Sequence, residues 1–161
     1  MSSAPQTGLV FPADGSLDTF ENALKWFSVP SNCTACIVSK RWPDGIVRCP
    51  VCDGKNVHYL ASRGLWECKT RHPKSQFSLR AGTIFEDSHI PLALWLAAIW
   101  VEANLSQTSS HEVARRLGVT QKSAWSLLRR IRCARRKAAE KRSAQLELSV
   151  RDRLSGSPLL G

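Results

Sequence analysis

Apolar residues recur at helical spacing near both ends of the chain and at strand spacing between them. Leu17, Phe20, Leu24 and Phe27 repeat every three to four residues. This predicts a helix over Leu17–Phe27 with one buried face, capped by Asp14–Ser16 and ended by Pro30. From Ile46 to Phe85 the period shortens: Val57, Tyr59 and Ala61 alternate with polar residues, Arg63-Gly64 reads as a turn, and Leu65-Trp66-Glu67 and Gln76-Phe77-Ser78-Leu79 read as further strands. After Pro91, which suits a first helical turn, Leu92, Leu94, Trp95, Leu96, Ile99 and Trp100 are apolar on most faces, the pattern of a central buried helix. Ser109 stands three residues before Glu112, a capping box, and Val113, Ala114 and Leu117 give the helix behind it an apolar face. Gly118 makes a tight turn, and Thr120 caps a helix whose apolar positions are Ala124, Leu127, Leu128 and Ile131. A small Ala114 where two helices cross, then Gly118, predicts a helix-turn-helix.

The fold class expected is α+β, a small β ribbon followed by an all-α unit. Residues 1–15 read as a flexible tail, 16–40 as a helix and lead-in, 41–82 as the ribbon, 83–142 as the helical unit and 143–161 as a loose C-terminal tail. The 161 residues suffice for one domain or two small ones.

Charge narrows the choice of partner. A net charge of +10 and a pI near 9.8 favour an anionic partner, first nucleic acid and second an anionic membrane surface. The apolar run from Ile90 to Val101 is too short to span a bilayer, so no membrane partner is expected. Met1–Val10 is small and polar without a signal-peptide pattern, which places the six cysteines in a reducing cytoplasm, at the nucleoid if the partner is DNA.

Cysteine spacing supplies the chemistry. Cys49-Pro50-Val51-Cys52 is followed after fifteen residues by Cys68, and His72 stands three residues further on. This is the spacing of a tetrahedral zinc site built from two knuckles. Four protein ligands leave no position for a catalytic water, so the zinc is read as structural. A ribbon of some 40 residues buries too little surface to fold alone and needs such a staple. Two alternatives stay open: a rival site of Cys33, Cys36, Cys49 and Cys52, and His58 in place of His72. Otherwise Cys33 and Cys36 are small buried hydrophobes.

Opposite the apolar stripe of the last helix lie Lys122, Ser126 and Arg129, with Arg130 beside them; Gln121, Lys122 and Ser123 form its first turn. These residues, with Arg132 at the start of a basic run through Arg142, are the candidate DNA contacts. Trp125 flanks the apolar stripe and reads as core, and Cys133 as incidental.

Several of these segments together resemble a known family. Arg41-Trp42-Pro43-Asp44-Gly45, the Cys-Pro-x-Cys knuckle, Gln76-Phe77-Ser78, Gly82-Thr83-Ile84-Phe85-Glu86-Asp87-Ser88, Pro91-Leu92, Trp95, Leu117–Trp125 and Arg130-Ile131-Arg132 are similar to the N-terminal region of bacterial insertion-sequence transposases of the fifteen-ninety-five type. The resemblance covers roughly residues 15–135 and implies structural zinc and recognition of an element's terminal inverted repeats in double-stranded DNA. It also implies self-association or contact with a full-length transposase. Most family members carry a second CxxC where this chain has Cys68 and His72. In the family an RNase-H-like catalytic domain follows, opening on an acidic segment. Here Leu154-Ser155-Gly156 resembles the approach to that segment, but no acidic residue follows Asp152. Strand transfer needs carboxylates to hold two metal ions, so a truncated, non-catalytic DNA-binding region is expected. A stand-alone regulator of transcription or transposition and a protein-interaction zinc module are the alternatives.

Overall fold

The computed structural model describes residues 17–155. Its elements in chain order are α1 (Phe20–Phe27), α2 (Pro30–Arg41), β1 (Val57–Leu60), β2 (Leu65–Cys68), β3 (Gln76–Phe77), α3 (Leu92–Asn104), α4 (Ser110–Leu117) and α5 (Gln121–Ser155). The fold is α+β, as expected. Among the described residues no helix is long and apolar enough to cross a membrane.

The first helix is shorter than its periodicity predicts. Thr19 is its cap, its hydroxyl accepting from the Asn22 N–H at 3.2 Å. Leu17 is buried ahead of the helix, and its carbonyl accepts the Trp100 indole N–H at 3.1 Å. The expected cap at 14–16 lies outside the described residues. Pro30 does not simply end α1; it opens α2, because proline's fixed φ and missing N–H suit a first helical turn. Cys33 and Cys36 therefore sit one turn apart on the buried face of α2.

The three strands form one antiparallel sheet in the order β1-β2-β3, with Val57 opposite Cys68 and Trp66 opposite Phe77. Gly64, at φ 62°, makes the β1–β2 turn. Ala61 falls in that turn, not in the strand. Trp66 packs between Trp42, at 6.1 Å, and Phe77, stacked at 6.1 Å, and Tyr59 leans on it from β1 at 5.0 Å.

The larger core surrounds α3. Trp95, Leu96, Ala97, Ala98, Trp100 and Val101 are all buried, and α3 packs against α1, α2, α4 and α5. Residues 78–90 form a chain of turns between sheet and helices. Arg80 ties it together by donating to the carbonyls of Ser88 and Ile90 at 2.7 and 3.0 Å. Arg41 anchors it to α2 through the Leu79 carbonyl at 3.0 Å, and Phe85 meets Trp95 edge-on at 5.4 Å.

The C-terminal expectation is corrected. Residues 143–155 continue α5 rather than forming a loose tail. The shift to Ser and Leu there does not disfavour a helix: Ala144, Gln145, Leu146, Glu147 and Leu148 are good helix formers, and no proline comes before Pro158. The expected N-terminal tail and residues 156–161 lie outside the described residues.

Candidate zinc centre and nucleic-acid interface

Two knuckles bring four ligands together. The first reverses the chain at Cys49–Cys52: the Cys49 N–H donates to the Gly54 carbonyl at 3.0 Å, and the Asp53 N–H to the Cys49 carbonyl at 2.9 Å. Asp53 takes a left-handed φ of 55° to complete the turn, and the Val51 N–H points at Cys49 Sγ from 3.4 Å. A Cβ on Gly54 would stand 3.1 Å from Cys52 Sγ, so the backbone passes close against that sulfur. The second knuckle starts at the end of β2, where the Cys68 N–H donates to the Ser75 carbonyl at 2.7 Å.

Cys49 Sγ lies 3.4 Å from His72 Nε2, and Cys52 Sγ lies 3.6 Å from Cys68 Sγ. All four ligand atoms fall within 4.8 Å of one another. A tetrahedral zinc with bonds of about 2.3 Å to sulfur holds its ligands roughly 3.8 Å apart. His72 Nδ1 is 2.7 Å from the Pro73 carbonyl, which accepts its N–H and leaves Nε2 bare toward the cysteines. A metal-binding histidine is usually oriented in this way.

The charge distribution fits the same ion. Desolvation pushes the Cys68 thiol up, but hydrogen bonds from His72, Thr70 and Cys52 outweigh it and hold its pKa at about 6. The Pro73 carbonyl, then Cys68 and Cys49, raise His72 to about 9. Without metal the cluster thus gathers thiolate and imidazolium where a dication would replace the proton. The donor set fits structural zinc.

Among the described residues, Cys49, Cys52, Cys68 and His72 are the only group of three or more such ligands brought together. The rival set is not assembled. Cys33 donates its thiol to the Phe27 carbonyl at 3.0 Å. Burial, then the neighbouring Cys33, pushes Cys36 up to about 11. Both behave as buried small hydrophobes. His58 is exposed on β1 opposite Glu67, outside the cluster.

The two C-terminal helices, α4 and α5, are joined by a tight turn where the sequence predicts one. Ser109 Oγ accepts the Glu112 N–H at 3.1 Å, Gly118 turns the chain at φ 64° and ψ 30°, and Thr120 Oγ1 accepts the Ser123 N–H at 3.1 Å. The Glu112 side chain does not return to the cap; it binds Arg115 and Arg116 one turn on. Val113, Ala114 and Leu117 of α4 and Ala124, Leu127, Leu128 and Ile131 of α5 are buried, and the two helices pack on each other.

The candidate DNA contacts divide into two groups. Gln121, Lys122, Ser126 and Arg129 are exposed, and Ser123 is half-buried at the cap. Arg130 and Arg132 are engaged within the protein. Arg130 donates to the carbonyls of Ile84 and Glu86 at 3.2 and 3.0 Å. Arg132 forks onto both oxygens of Glu102 at 2.8 and 3.1 Å and reaches the Thr108 carbonyl at 2.6 Å. Arg135 adds a bond to the Glu102 carbonyl at 3.0 Å. A sequence signal for these ties existed in Glu102, a lone acid closing an apolar helix. Trp125 is not core: it is 55% exposed, with the Arg129 guanidinium 5.3 Å from its ring centroid. Beside it a cleft of about 650 Å³ runs between Thr83–Asp87 and the Trp125–Lys137 face of α5.

A family profile described as a transposase zinc-ribbon domain matches residues 31–70. This stretch is similar to a transposase zinc ribbon. No curated protein and no solved structure matches the chain. The matched residues include most of α2 as well as the first two strands. Three of the ligands fall inside the matched residues, and His72 lies two residues beyond them.

Proposed function

We propose that the chain is the DNA-binding region of an insertion-sequence transposase, that it recognises the terminal inverted repeats of its element, and that these residues bind DNA without cutting it. The observation that carries the reading is the exposed stripe Lys122, Ser126 and Arg129 at the start of α5, with Gln121 in the same first turn. It stands on a helix-turn-helix joined to a transposase-type ribbon. First-turn residues of a second helix are those that reach base edges, and the N–H groups of that turn suit a phosphate. The charge of +10 supplies the sequence-independent attraction.

The test incubates the zinc-loaded chain with end-labelled duplexes carrying the element's terminal repeat or a scrambled sequence, in magnesium. Retarded but intact DNA, with the repeat preferred, is the expected result. Nicked or joined products would refute the non-catalytic part of the proposal. Equal affinity for both duplexes would refute repeat recognition.

A further inference from the structure

We infer that Trp125 is a specificity-determining residue whose indole meets a thymine edge in the major groove; the inference rests on the DNA-binding reading above. Of the six tryptophans, Trp125 alone is exposed. Helical geometry places it about 60° from Lys122 and about 40° from Arg129 around the axis, at the edge of the polar stripe rather than opposite it. Arg129 lies over the ring and holds it alongside the stripe. Trp95 and Trp100 donate their ring N–H to Ser88 and to the Leu17 carbonyl; those of Trp26, Trp42, Trp66 and Trp125 donate to nothing among the described residues, and of these four only Trp125 is exposed.

The chemistry on offer is therefore an apolar face and one free donor, side by side, at the start of a candidate recognition helix. Thymine presents a matching pair in the major groove, the C5 methyl next to the O4 acceptor. A phosphate is the poorer match. The indole brings no charge to it; the cations of the adjoining cleft, Arg129, Arg130 and Lys137, would hold a phosphate themselves without the ring.

The test uses the full zinc-loaded chain. A preferred duplex is selected from a random-sequence pool. The native chain, Trp125→Ala and Trp125→Phe are then titrated on that duplex, on a scrambled one, and on copies in which each thymine in turn is replaced by uracil, which lacks the methyl. The native chain should lose about tenfold at one or two thymines. Trp125→Ala should lower the selected-to-scrambled ratio by about tenfold, ignore those uracils and keep the salt slope. Trp125→Phe, retaining the ring but not the N–H, should fall between. The uracil series needs no variant, so the proposal stays testable if a substitution disturbs folding. Equal ratios for the native chain and Trp125→Ala, or no uracil effect, overturn the inference and leave DNA binding standing. A native chain without sequence preference does the same. No duplex binding at low salt overturns the DNA-binding reading and this inference with it.

Discussion

The ribbon and the helical unit solve the same problem of staying folded by different means. The ribbon's three strands are four, four and two residues long, and one face carries the ladder Trp42, Trp66 and Phe77. So short a sheet depends on its metal. The helical unit buries Trp95, Leu96, Ala97, Ala98, Trp100 and Val101 of α3 and closes α4 onto α5 with seven apolar side chains, so it depends on packing. The lesson concerns division of labour: the part with the family signature holds shape through one ion, and the part with the exposed polar stripe holds shape without it.

The largest effect that could break this contrast is loss of the ion. Structural zinc contributes about 10–16 kcal/mol of apparent binding energy. Chelation, or Cys68→Ala, should abolish the near-ultraviolet signal of Trp42 and Trp66 while most far-ultraviolet helicity remains. Simultaneous loss of helicity would show that the two parts fold as one. Next comes Leu127→Ala in the helical core. Leu127 is fully buried, and its truncation should cost about 2–5 kcal/mol in denaturant unfolding, with zinc stoichiometry unchanged. A smaller change is Ser109→Ala, which removes the α4 cap and should cost about 1 kcal/mol. The finest separates two kinds of basic side chain. Arg132→Ala should destabilise by about 1 kcal/mol, because its fork onto Glu102 is half-exposed, and leave the salt dependence of DNA binding alone. Lys122→Ala should leave stability alone and lower the repeat-to-scrambled affinity ratio by about tenfold. Reversed outcomes would exchange their roles.

Legibility in the sequence follows the range of each interaction. The zinc ligands, the caps at Ser109 and Thr120 and the turn at Gly118 are set within a few residues, or by fixed spacing, and all appear where the sequence puts them. The α2 helix was hidden because Pro30 suits both the end of one helix and the start of another. The C-terminal half of α5 is hidden because its Ser- and Leu-rich composition resembles a loose end, although Ala144, Gln145, Leu146, Glu147 and Leu148 favour a helix. Arg130 and Arg132 look like DNA contacts in isolation; their partners at Ile84, Glu86 and Glu102 are distant in sequence, and only the folded chain brings them near. Trp125 lies at the margin of the apolar stripe, where periodicity does not decide between core and surface.

The central claim is that a zinc-held ribbon and an exposed helix stripe make one DNA-binding unit. The most direct test measures duplex affinity across a salt series, with and without a zinc chelator. The zinc-loaded chain should show affinity falling steeply with salt, by about 0.9 log units per log unit of salt for each phosphate neutralised, together with preference for element ends that weakens on chelation. A flat salt dependence, or an unchanged preference after the zinc is removed, would contradict the account.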